Sequence, residues 1–172
     1  MLPRRRHGRA RLGPRTSALT RAERRRAQNG FTLIELLVTV AIIVTIAAIA
    51  VPPLLNALNQ AKIARAIGDI HAIGTDLQGY YLSNYQYPDT LDQIGDNRND
   101  PWGNPYQYLN FAGVNGKGKM RKDRFLVPIN TFFDLYSMGP DGQSVPPLTA
   151  KQSRDDIIWA NDGDYVGPAS DY

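Results

Sequence analysis

The sequence predicts an α+β fold: a long N-terminal α-helix, hydrophobic in its first half and amphipathic in its second, packed on a small antiparallel β-sheet. Three observations lead there. Residues 31–51, FTLIELLVTVAIIVTIAAIAV, are almost wholly apolar. From Leu55 to Tyr81, apolar residues recur three or four apart, the period of one helix face. After Pro88 the chain changes to short aromatic runs divided by Gly, Pro, Asn and Asp, the punctuation of short strands and tight turns.

In chain order, residues 1–30 read as a basic leader. They hold ten Arg and one Glu, which leaves ten Lys/Arg against fifteen Asp/Glu from Phe31 onward. The overall charge of +4 therefore conceals a basic leader and an acidic remainder. Arginine-rich segments can bind nucleic acid. Here the arginines nearest the apolar run, Arg21, Arg24, Arg25 and Arg26, already have a role in membrane orientation. Twenty-one helical residues at ~1.5 Å each span about 31 Å, matching a hydrocarbon core of roughly 30 Å. Positive charge before the span keeps that end cytoplasmic and sends the C-terminal part across. A cleaved secretory signal would end in a small-x-small site after the apolar run. This run instead passes into Pro52, Pro53 and a long amphipathic stretch.

The predicted organisation is a leader at 1–30, a membrane and polymerisation helix at 31–53, an amphipathic helix at 54–87 and a loop-rich β region at 88–172. Pro52 and Pro53 lack N–H donors, so a bend or local unwinding is expected there. Leu55, Leu58, Ile63, Ile67, Ile70, Ile73 or Gly74, Leu77 and Tyr81 form the apolar stripe, and the helix is expected to end near Asn84. Gly68, Gly74 and Gly79 each cost about 1 kcal/mol relative to Ala, which close packing of the sheet would explain. Beyond Pro88, Asp100-Pro101-Trp102-Gly103-Asn104-Pro105 reads as consecutive turns. Strands are expected around Tyr106–Tyr108, from Phe133 to Met138 and at Ile157-Ile158-Trp159. Lys117, Lys119, Arg121, Lys122 and Arg124 make a basic patch, read as a solvated loop, with binding to an anionic surface as the alternative.

Catalysis finds little support. The chain has no cysteine, and its two histidines, His7 and His71, are far apart. A Ser-His-Asp triad or a multi-histidine metal site has almost nothing to draw on. No phosphate loop or paired acid/base constellation is present, so the chain is read as a structural protein rather than an anchored enzyme.

The junction before the apolar run is unusual. Asn29-Gly30-Phe31-Thr32-Leu33-Ile34-Glu35 closes a basic leader with Gly, opens the span with an aromatic and places one carboxylate four residues later. A carboxylate in a membrane helix costs on the order of 2.5–3.5 kcal/mol. It is explained either by the positive helix N-terminus or by pairing with a cation inside the membrane. The residues Gly30-Phe31-Thr32-Leu33-Ile34-Glu35, the span and Pro52 are similar to the signal of type IV prepilins and type II secretion pseudopilins. That resemblance implies cleavage after Gly30 by a prepilin peptidase and methylation of Phe31. It also implies that Glu35 pairs with the new α-amino group of a neighbouring subunit during assembly.

DPWGNPYQYLN and DLYSMGPDG narrow the resemblance to the major pseudopilin, the G subunit of type II secretion. Residues 110–131 are expanded and residues 144–154 atypical relative to that family. The resemblance implies a homopolymer with other pilin-like subunits, an inner-membrane assembly platform, periplasmic heads and a role in driving protein export. The alternative is a pilin of a type IV pilus, serving motility, adhesion or DNA uptake. Long-filament pilins more often carry a C-terminal disulfide, which a chain without cysteine lacks.

The C-terminal third gathers Asp141, Asp155, Asp156, Asp162 and Asp164. Calcium takes six to eight oxygen ligands, at ~2.3–2.6 Å, although Asp in Asp-Gly turns and on surfaces is common. By position, the resemblance implies a structural calcium held by the Asp141, Asp155 and Asp156 side chains and the carbonyls of Met138 and Ser153.

Overall fold

A computed structural model describes residues 30–172. His7 and the leader arginines lie outside the described residues. Among the described residues two units are distinguished, the first ending at Ala47 and the second running from Ala48 to Tyr172.

The first helix, α1 (Leu33–Asn84), starts in the first unit and continues into the second. Residues 31–51 are exposed throughout, so none of the described residues covers their apolar surface. Pro52 and Pro53 lie within α1. The local unwinding expected there is not present, because residues 51–54 stay helical. The helix tolerates losing the two N–H donors that would reach the carbonyls of Ala48 and Ile49. α1 ends where predicted: Tyr85 takes the left-handed conformation at φ 57°, and the Asn84 side chain donates to the carbonyl of Tyr80 at 2.9 Å.

In the second unit the sheet has four antiparallel strands in chain order: β1 (Gln107–Asn110), β2 (Phe133–Ser137), β3 (Ile157–Ala160) and β4 (Tyr165–Pro168). Sequence reading anticipated the first three. β4, Tyr-Val-Gly-Pro, was missed because Gly and Pro mark it as a turn. It is an edge strand, the place where proline is tolerated in a sheet.

Alternation along the strands sorts side chains to two faces. Phe133, Leu135, Ile157 and Trp159 turn toward α1, where Ala66, Ile70, Ile73 and Leu77 meet them in one core. The buried stretch of the helix is shorter than its periodicity implied. Leu55 and Leu58 stay exposed, lying beyond the residues that pack on this core.

The opposite face is covered too, contrary to the expectation of a sheet laid on one helix. Ile158 and Ala160 pack there with Ile129, Leu148 and Ala169. This second layer is built of irregular segments laced together by backbone bonds. Lys122 donates to Pro146 at 3.0 Å, Leu148 to Lys122 at 2.9 Å, and Ile129 to Arg121 at 3.2 Å. Covering both faces explains why all four residues of β3 are buried.

Gly74 is the glycine that the packing requires. A Cβ there would lie 2.2 Å from the Trp159 ring, whereas Gly68 and Gly79 have open space. Gly74→Ala therefore overpacks a rigid indole and is expected to lose about 1–3 kcal/mol, despite a helix-propensity gain of ~1 kcal/mol. Gly79→Ala meets nothing and is expected to stabilise the chain by up to ~1 kcal/mol. Denaturant unfolding of the full chain in detergent checks both, and equal effects of the same sign would refute this packing account.

Candidate functional site

Two regions carry the predicted site residues. At the first, Gly30, Phe31 and Thr32 precede the helix in irregular backbone. Phe31 is 81% exposed, and no side chain or distant backbone crowds Gly30.

Thr32 and Glu35 cap α1 reciprocally. The Glu35 backbone N–H donates to Thr32 Oγ1 at 3.2 Å. The Glu35 carboxylate oxygen Oε2 accepts from the Thr32 N–H at 2.9 Å and from its hydroxyl at 2.8 Å. This is a capping box, in which the first-turn carboxylate satisfies an orphan donor at the helix start. The observation supports the macrodipole explanation for Glu35 within a single chain. It also leaves Oε1 without a hydrogen bond among the described residues.

The second region is the C-terminal loop system. Asp100 organises its entrance: Oδ1 accepts from the N–H groups of Trp102 at 3.0 Å and Asn104 at 2.8 Å. Its Oδ2 accepts the Ser137 hydroxyl at 2.5 Å. The two segments that narrowed the resemblance, DPWGN and DLYSMGPDG, thus lock onto each other. Gly139, at φ 64°, follows this lock. A Cβ there would lie 2.3 Å from the Asp155 carbonyl oxygen, so only glycine lets the turn seat against residue 155.

The five residues predicted to hold calcium are dispersed in their bonding. Asp141 is exposed, and its Oδ1 accepts the Gln143 N–H at 2.8 Å. Its own N–H reaches Asp155 Oδ2 only at 3.4 Å. Met138 is half-buried beside the turn. Ser153 is fully buried, its hydroxyl accepting from the Val145 N–H at 2.9 Å and donating to the Val145 carbonyl at 2.7 Å.

Asp156 is fully buried and bonded elsewhere. Its Oδ2 accepts from the Arg121 guanidinium and from the Ser144 hydroxyl. Its Oδ1 has no partner. A calcium ion at Asp156 would sit beside a guanidinium, where like charges repel. Among the described residues, no group of three His, Cys, Asp or Glu side chains is placed to hold a metal. As arranged, these residues do not fit a calcium ion.

Arg121 was expected in a solvated basic patch, and the structure corrects this: it is 3% exposed. Its Nη1 donates to Ser144 Oγ and, at 2.8 Å, to the Val145 carbonyl. Its guanidinium carbon lies 4.2 Å from the centre of the Tyr136 ring, within cation–π range. Its backbone N–H donates to Asp134 Oδ2 at 2.6 Å. Asp134 is 1% exposed and was also missed. Only Met120, buried beside Arg121, distinguished that arginine from its neighbours in sequence.

Burial pushes the Asp156 carboxyl up to about 6, against the opposing pull of Ser144 and Arg121. It is ionised at neutral pH. Because the folded carboxyl binds a proton at pH values where the unfolded one has lost it, this group makes stability fall as pH rises from about 4 to 6. Carboxyl-carbon NMR should show Asp156 titrating near pH 6. A midpoint below the ordinary aspartate value of about 3.9 would show that Arg121 outweighs burial.

The prokaryotic N-terminal methylation motif matches residues 25–51, covering the junction and the apolar run. The type II secretion system core protein G of Pseudomonas aeruginosa is 38% identical over 141 residues, 69% of this chain and 88% of that protein. The core protein G of Aeromonas hydrophila is 32% identical over 70% of this chain and 88% of its own length. That of Escherichia coli K12 is 32% identical, with coverages of 67% and 84%. The long helix on an antiparallel sheet and the matched junction agree with these similarities: the chain belongs to the type II secretion system core protein G family.

Proposed function

We propose that the chain is the major structural subunit of a pseudopilus, acting by assembly and not by catalysis. The observation that carries this reading is the apolar surface of residues 31–51, all exposed among the described residues. It directly follows the junction at Gly30 and Phe31, which lies inside the matched methylation motif. Such a surface is covered by lipid before assembly and by the equivalent helices of other copies afterwards. The chain is then a single-pass inner-membrane protein with its head in the periplasm. A prepilin peptidase cuts after Gly30, and Phe31 carries the methylated amine.

Glu35 connects these steps. In the single chain its Oε2 caps the helix. The other oxygen is left to accept the ammonium of Phe31 from an adjacent subunit. Pairing offsets the cost of placing a carboxylate in the membrane and sets the register between subunits. An assembly platform in the inner membrane supplies the force, and growth of the filament drives protein export.

Gly30→Ala is expected to leave the precursor uncut, readable as the unprocessed mass. Correct maturation of that variant would remove the cleavage step from this account. Glu35→Ala is expected to be processed normally yet to abolish filaments and exported enzymes in the culture supernatant. Filaments at wild-type abundance would rule out the charge pair. A strain lacking the gene is expected to lose exported proteins while retaining pilus-dependent motility. The reverse pattern would identify a type IV pilin.

A further inference from the structure

We propose that Arg121 is the resident cation of the C-terminal acidic loop, so that this head is locked by an internal guanidinium instead of a bound divalent ion. The inference rests on the geometry of the second layer and is independent of the export role.

The guanidinium does what a structural ion does: it ties separate segments to one charge. It joins the carboxylate of Asp156, just before β3, to the hydroxyl of Ser144 and the carbonyl of Val145 in the following layer. It also covers the ring of Tyr136 in β2. Ser144 closes the set by donating to Asp156 at 2.6 Å.

Its position is held on both sides. The Arg121 N–H is bound by buried Asp134, its carbonyl accepts from Ile129, and the next residue pairs with Pro146 and Leu148. Arg121 and Asp156 are 3% and 0% exposed. This is a placed buried pair and not a surface arginine in passing contact.

Arginine suits this position in a way lysine does not. Its planar fork serves a carboxylate, a hydroxyl and a carbonyl at once, whereas an ammonium is a compact point charge. The guanidinium comes from one irregular segment, and Ser144 and Val145 come from another.

Removing the guanidinium would leave a pocket bounded by oxygens: Asp156 Oδ2, the Ser144 hydroxyl and the Val145 carbonyl. Hard divalent cations favour such a donor set. Calcium dependence should therefore be absent from the natural chain and appear when Arg121 is removed.

The test is thermal unfolding of the full chain in detergent, in chelator or in excess calcium, with magnesium as control and calcium binding followed by calorimetry. The wild type is expected to melt at one temperature in all conditions and to bind no calcium. Arg121→Ala is expected to melt lower in chelator by on the order of 10 °C and to recover part of that loss with calcium. Arg121→Lys retains a cation without the fork, so it is expected to melt below wild type and to ignore calcium. A calcium-dependent rise in wild-type melting, or saturable calcium binding by the wild type, overturns the proposal. So does an Arg121→Ala chain that melts like wild type in chelator. If Arg121→Ala does not fold, wild-type calorimetry and Arg121→Lys decide the matter: a lysine variant as stable as wild type removes the role of the fork.

Discussion

The packing of β3 against the amphipathic part of α1 requires that residue 74 have no side chain. Trp159 occupies the space a Cβ would fill, with its ring 2.2 Å from that position. Around this contact gather Ile70, Ile73 and Leu77 from the helix and Phe133, Leu135 and Ile157 from the sheet. Large aromatic side chains contribute most of the apolar area a small core buries. Seating the indole in a notch brings the sheet close enough for its neighbours to pack as well. Hydrogen bonds at the rim hold the edges of the same surface: Tyr106 donates to Asp69 at 3.0 Å, and Tyr108 to the Pro88 carbonyl at 2.9 Å.

Once one face of the sheet is taken by the helix, the other becomes the next constraint. Ile158 and Ala160 turn away from α1 and must be buried by something else. Irregular segments cover them, and irregular backbone brings polar groups that need partners. Asp134 and Asn130 meet part of that need: Asn130 donates to the Trp159 carbonyl at 2.9 Å and accepts from the Asp162 N–H at 3.1 Å. Arg121 adds bonds to the Ser144 hydroxyl and the Val145 carbonyl. A buried ion pair is weak evidence for stability, since desolvation opposes the attraction. Its clearer effect is positional, because either charge alone in that interior would be far costlier than the pair. The loop layer is thereby held in one arrangement.

At the other end of α1 the physical problem is reversed. The helix start is well satisfied by the Thr32–Glu35 capping box, yet the apolar residues that follow have no cover among the described residues. A well-capped helix with an uncovered apolar surface is a unit prepared for lipid or for copies of itself. The single carboxylate at its start serves the cap with one oxygen and leaves the other available.

Much of this was legible before any coordinates, and the reason is range. The membrane-length run, the end of the helix at Asn84, the junction at Gly30 and Phe31, and the first three strands depend on composition, period and local turn chemistry. Neighbours along the chain decide such features. β4 escaped because its Gly and Pro are turn residues everywhere except at a sheet edge, and edge position is a property of the assembled sheet. The carboxylates of the last third were visible as a cluster, but which cation faces Asp156 was not. Arg121 is thirty-five positions away in sequence, and among five basic residues in one loop the adjacent Met120 is the one local mark of its burial. Only the folding of two irregular segments over the far face of the sheet brings that charge to its partner, because burial is set by what packs above a residue and not by the residue itself.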